Sequence, residues 1–131
     1  MSKEKIIDIN GTKYNEKDLS EKAQAHVLSI TVTNKEIQRI QDQLAIVQTA
    51  RNAYGVSLTP NLPKVAGKNK KKDVVTINSK KYAYADMNEK AIADIMSISI
   101  VDKKIVSLQE DLAMAKTAKN FYTKALIEEV K

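Results

Sequence analysis

Two patterns alternate along the chain, and each appears twice. The first is a short run of β-prone residues around a turn. Ile6-Ile7-Asp8-Ile9 leads into Asn10-Gly11, and Thr12-Lys13-Tyr14 follows. Asn-Gly between such runs signals a two-residue hairpin, because both turn positions need positive φ. Val74-Val75-Thr76-Ile77, Asn78-Ser79 and Lys80-Lys81-Tyr82 repeat the pattern with a poorer turn residue. In both hairpins one strand face is apolar (Ile7 and Ile9; Val75 and Ile77). A lone hairpin is marginal in water, so each should lie on a helix or pair with the other into a four-stranded sheet.

The second pattern has a period of seven. One apolar row runs Ala23, Ile30, Ile37, Leu44, Arg51, Leu58, and its companion runs Thr33, Ile40, Val47, Tyr54. The later copy reads Ala91, Ile98, Ile105, Leu112, Lys119, Leu126, with Val101, Leu108, Ala115, Tyr122. Four heptads with charged and amide residues between them predict coiled-coil-like helix packing. Val27, Ile46, Ile95 and Met114 flank the seam and widen it toward a bundle face. Asp18-x-x-Glu21 and Asp86-x-x-Glu89 fit capping boxes at the helix starts. The segment Ser29-Ile30-Thr31-Val32-Thr33 is β-branched and favours helix weakly. A break there would give two helices per copy; the unbroken heptad phase favours one helix of about 40 residues, near 60 Å long.

The two patterns belong to one unit written twice. Ile6 to Leu58 aligns without gaps on Val74 to Leu126 at an offset of 68, with 21 of 53 positions identical. The organisation expected is repeat 1 over 6–58, a linker over 59–73 and repeat 2 over 74–127. The fold class expected is mainly α with small β-hairpins (α+β), the two repeats packed as an antiparallel coiled-coil-like helical bundle. Antiparallel packing follows from the linker: fifteen residues reach at most about 50 Å, too little to return comfortably along a long helix. Thr59-Pro60-Asn61-Leu62-Pro63 ends the first helix, and the Lys-rich stretch after it reads as a flexible tether.

Composition narrows the chemistry. No cysteine is present, which excludes disulfides and thiolate zinc sites. The net charge is +6, and the linker supplies most of it through Lys64, Lys68, Lys70, Lys71 and Lys72. Those lysines are the candidate polyanion contact. With only two arginines, Arg39 and Arg51, a base-specific DNA reader is disfavoured. Gly67-Lys68 is no phosphate loop, since Leu62 and Asn69 stand where glycine and Ser/Thr are required. His26, the only histidine, is expected to be a solvated helix residue. Without a catalytic constellation the chain is read as no enzyme, with no cofactor, metal or small-molecule substrate. The start lacks a signal core and no run spans a bilayer, so no membrane role is expected. Arg51 and Lys119, polar in an inward row, are candidate register or interface residues. Tyr54, Tyr122, Tyr14 and Tyr82 recur in both copies as candidate partner anchors, or as seam and hairpin packing.

Ile-Asp-Ile-Asn-Gly-x-x-Tyr, then Asp-Leu-Ser-Glu-x-Ala, then Gln-Asp-Gln-Leu-Ala-x-x-Gln-Thr-Ala-Arg-Asn-Ala-Tyr resembles a small domain family of unknown function in marine phages, T4-like cyanophages among them, and their bacterial hosts. The resemblance covers Ile7 to Leu58 and, more loosely, Val75 to Leu126. It implies a phage-encoded protein with two fused copies, located in the host cytoplasm or the virion, and carries no site residues. The function expected is a helical interaction or assembly protein acting as an intramolecular pseudo-dimer, partnered by itself or by a phage or host protein. The alternatives are a nucleic-acid accessory protein using the lysine linker and an effector that binds a host protein.

Overall fold

The computed structural model describes residues 5–64 and 73–131. Strands β1 (Ile6–Ile9) and β2 (Thr12–Asn15) form one antiparallel hairpin. Strands β3 (Val74–Ile77) and β4 (Lys80–Ala83) form another. Helix α1 spans Glu21–Leu58 and helix α2 spans Glu89–Glu129. The hairpins stay as separate two-stranded sheets, so the four-stranded alternative does not occur. Each element of the second half starts 68 residues after its counterpart, as Ile6 and Val74 or Glu21 and Glu89 show.

Both turns take the left-handed conformation that their sequences call for. Asn10 and Gly11 have φ of 53° and 86°, and Asn78 and Ser79 have 51° and 67°. The Gly11 N–H donates to Asp8 Oδ1 at 3.0 Å. A 3-10 turn then carries each hairpin toward its helix, over Glu16–Asp18 and Tyr84–Asp86.

The helix starts differ from the expected capping boxes. Asp18 and Asp86 sit inside the 3-10 turns, two residues before the N-cap position. Ser20 and Asn88 do the work instead: Ser20 Oγ accepts from the Ala23 N–H at 3.1 Å, and Asn88 Oδ1 accepts from the Ala91 N–H at 2.8 Å. Each fills the N-cap position that satisfies an otherwise orphaned first-turn amide. Helix α1 runs without a break through the β-branched segment. There Thr31 Oγ1 donates to the Val27 carbonyl and Thr33 Oγ1 to the Ser29 carbonyl, at 2.9 and 2.7 Å. Such back-bonding lets threonine sit inside a helix with its hydroxyl satisfied.

Compactness divides the chain into two units, each drawing on both halves of the sequence. Of the described residues, unit 1 holds 5–43 and 108–131; unit 2 holds 44–64 and 73–107. In unit 1 the first hairpin rests on the start of α1 and the end of α2. Its core is Ile9, Leu19, Ala23, Val27 and Leu126, with Ile7, Tyr14 and Ile30 packed around it. Ser20 Oγ lies 3.3 Å from Glu129 Oε1 at the same end. In unit 2 the second hairpin rests on the start of α2 and the end of α1. Its core is Leu58, Tyr82, Met87 and Ala91, with Val75, Ile77, Ile95 and Ile98 around it. Contacts in unit 2 descend in order, Arg51 with Asp102, Ser57 with Asp94 and Asn61 with Asn88, so its helical segments run antiparallel.

The two cores are built alike. Ala23 and Ala91, Leu19 and Met87, Leu126 and Leu58 are counterparts across the offset. An alanine in the first turn lets the hairpin approach the helix closely, and the leucine arriving from the other helix closes the cluster. Ile40 and Leu108 are buried as well.

Candidate interaction surface

Heptad position decides which side each residue takes. The row from Ala23 to Leu58 is labelled a and the row from Thr33 to Tyr54 is labelled d, with the same labels in α2. Around an α-helix, e and b follow a, while g and c follow d. In an antiparallel pair the e positions of both helices share one side and the g positions share the other. Unit 2 displays both sides. Arg51 at a meets Asp102 at e, and Ser57 at g meets Asp94 at d.

The e and b side of unit 1 is largely amide and hydroxyl, with Asn34, Gln38, Gln41, Gln109 and Asn120 all exposed, while in unit 2 it also exposes Val106 at b. The g and c side differs. In unit 1 it presents Val32, Met114 and Phe121, each more than half exposed, between Ala25, Ala118 and Ala125. An open apolar groove along α2 there is lined by Ala113, Met114, Thr117, Ala118, Phe121 and Tyr122. The Phe121 and Tyr122 rings meet edge to face with centroids 6.0 Å apart. In unit 2 the g and c side presents Ile46 and Ile100, also more than half exposed, between Ala50, Ala53 and Ala93. Farther round, at f, Leu28 and Met96 are exposed counterparts of each other.

Thus Ile46 and Met114, expected to widen the buried seam, lie outside it. Position c is two steps past the a row, too far round to reach the partner helix. Val27 and Ile95, at e beside the hairpins, do join the cores.

The polar residues singled out in the sequence take varied places. Arg51 is not inward: its guanidinium reaches Asp102 at the rim, both side chains about half exposed. The hydrogen bond to Asp102, then its charge, raises the Arg51 pKa above the usual arginine value. Lys119 is half-buried. Tyr82 is buried in its hairpin core and Tyr14 packs against the other, while Tyr54 and Tyr122 are half-buried on the d row. His26 is half-buried rather than solvated, because a d position early in the helix faces the seam. Lys64 is exposed; Lys68, Lys70, Lys71 and Lys72 lie outside the described residues.

Two features went unread in the sequence. Asp94, the counterpart of His26, is buried and accepts a 2.7 Å hydrogen bond from Ser57 Oγ. The exchange of His for Asp at one d position was the only signal of it. The outer apolar stripe was legible, since Val32 and Ile100, Leu28 and Met96, Ile46 and Met114 are apolar in both copies at positions a helix pair leaves outside. Among the described residues, no group of three or more His, Cys, Asp or Glu could hold a metal ion, and no helix is long and apolar enough to cross a membrane.

The chain matches no family model, no curated protein and no solved structure. The resemblance to the phage domain family rests on the quoted residues alone.

Proposed function

We propose that the chain is a non-enzymatic helical interaction and assembly protein. It is an intramolecular pseudo-dimer of two tandem repeats joined in coiled-coil fashion, and, as the resemblance implies, a phage-encoded accessory or structural protein. One observation carries the reading: the g and c side of each unit exposes large apolar residues at matching repeat positions, Val32 with Ile100 and Ile46 with Met114. Scattered single apolar residues on a surface need no explanation, but a repeated apolar side opposite an amide side marks an interaction surface.

Photo-crosslinking in the cell of origin tests it. A p-benzoylphenylalanine residue at position 32 should give a discrete covalent protein adduct. The same group at position 38, on the amide side, should give none. No adduct from either position, or equal adducts from both, would contradict the reading.

A further inference from the structure

We propose that the first hairpin turn is a self-modification site. The Gly11 backbone nitrogen attacks the Asn10 side chain and converts it, through a cyclic imide, to aspartate and isoaspartate, at a rate set by opening of the hairpin. The site belongs to unit 1 alone and is independent of the interaction role proposed above.

The reaction needs only the turn and water. The Gly11 nitrogen bonds to Asn10 Cγ, and its proton passes through solvent to the departing side-chain amide. The Cγ–Nδ2 bond breaks, ammonia leaves, and a succinimide ring closes. Water then opens the ring. Cleavage between Cγ and the nitrogen gives aspartate; cleavage of the original peptide bond gives isoaspartate.

Asparagine is a thermolabile residue, and Asn10 is the one asparagine of the sequence followed by glycine. Both residues are exposed. Nothing lies within 4 Å of where a Cβ on Gly11 would stand, so no side chain crowds the attacking nitrogen. The second hairpin supplies a matched comparison. Asn78 and Ser79 are also exposed and also left-handed, with φ of 51° and 67°, but the Ser79 side chain flanks the nitrogen there.

The folded turn restrains the reaction. The Gly11 N–H donates to Asp8 Oδ1 at 3.0 Å, which holds the nitrogen and its proton in place. Ring closure requires that hydrogen bond to break and the backbone at Asn10 to rotate out of its turn conformation. Ile9, next to the turn, is buried in the core that Leu126 joins. Local opening of the hairpin therefore has to work against that core. Isoaspartate carries the backbone through Cβ and so lengthens a two-residue turn. The Ile9 and Thr12 pairing beside it loses its register, and with it the seat of Ile9. Conversion thus loosens the first hairpin and spares the second.

The test is to hold the full chain in mildly alkaline buffer, digest it, and follow the amide, aspartate and isoaspartate forms of each asparagine peptide by chromatography and mass spectrometry. Asn10 should convert faster than every other asparagine, Asn78 included. Leu126→Ala should speed conversion of Asn10 by about tenfold or more, as a weakened core opens more often. Leu58→Ala should leave the Asn10 rate within about twofold, because Leu58 belongs to the other core. Asp8→Ala touches neither core and should also speed Asn10, which keeps the test valid if Leu126→Ala fails to fold. An Asn10 that converts no faster than Asn78 overturns the site. An Asn10 rate indifferent to both Leu126→Ala and Asp8→Ala, or raised equally by Leu58→Ala, overturns its control by hairpin opening.

Discussion

Leu126 offers the sharpest perturbation of the fold. Its side chain is 5% exposed and belongs to the core formed by Ile9, Leu19, Ala23 and Val27, more than a hundred residues away in sequence for most of them. Leu126→Ala removes three carbons from that core. The lost transfer free energy is about 2 kcal/mol, and the residual cavity adds to it, within a usual range of about 2–5 kcal/mol. This core lies at the end of a helix pair under a small hairpin, where neighbours can collapse inward. The expected cost is therefore near the lower end, about 2–3 kcal/mol. For a domain of this size that is a fall in melting temperature on the order of 10 °C. Urea unfolding at fixed protein concentration reads the total. Amide exchange reads the location: β1 and β2 should lose protection well before β3 and β4, although Leu126 follows the second hairpin in sequence. Leu58→Ala should do the reverse and expose β3 and β4. Preferential loosening of the second hairpin by Leu126→Ala, or a cost below about 1 kcal/mol, would contradict this placement of Leu126.

Other predictions follow from single contacts. Ser57→Ala leaves the buried Asp94 carboxylate without its 2.7 Å donor and should cost about 1–3 kcal/mol in urea unfolding; Ser57→Ala combined with Asp94→Leu should recover much of the loss. Ser79 holds φ at +67°, so Ser79→Gly should stabilise the second hairpin by about 0.5–1 kcal/mol, while Gly11→Ala should destabilise the first by a similar amount. Arg51→Gln breaks a half-exposed ion pair and should cost at most about 1 kcal/mol, less in high salt. The hydrogen bond from Arg39 holds the Glu36 carboxyl below the usual glutamate pKa. A depressed carboxyl stabilises the folded chain above its unfolded pKa and loses that contribution as pH falls through the folded value. Mid-helix amide protection should therefore weaken on acidification below the ordinary glutamate range, and Glu36→Gln should remove that pH dependence.

Much of this architecture is written in local patterns. The Asn-Gly turn, its Asn-Ser variant and the heptad rows each follow from backbone geometry and periodicity, which act within a few residues. The helix through Ser29 to Thr33 was legible because phase outweighs weak propensity once threonine hydroxyls bond back to the preceding turn. The caps are not legible from sequence because two polar candidates lie within three residues of each helix start, and only the 3-10 turn decides between Asp18 and Ser20 or between Asp86 and Asn88. The row of Arg51 is otherwise apolar and so predicts an inward residue, but a long side chain at a can swing to the rim when an acid such as Asp102 stands at e. Asp94 with Ser57 is a pairing between residues 37 apart; the His-to-Asp exchange marks the d position, but Ser57 has alanine as its counterpart, so the sequence does not name the partner. The exposed apolar side needed one further step: reading apolar residues at c as surplus to the seam rather than as part of it.

Each hairpin core is closed by the end of the helix from the other half of the chain. Methyl NOE spectroscopy on the full chain, with isotope filtering to separate contacts within a chain from those between chains, addresses it most directly. Intrachain cross-peaks from Leu126 to Ile9 and Ala23, and from Leu58 to Met87 and Ala91, are the predicted result. Cross-peaks from Leu58 to Ile9 and Ala23, with none from Leu126, would contradict it.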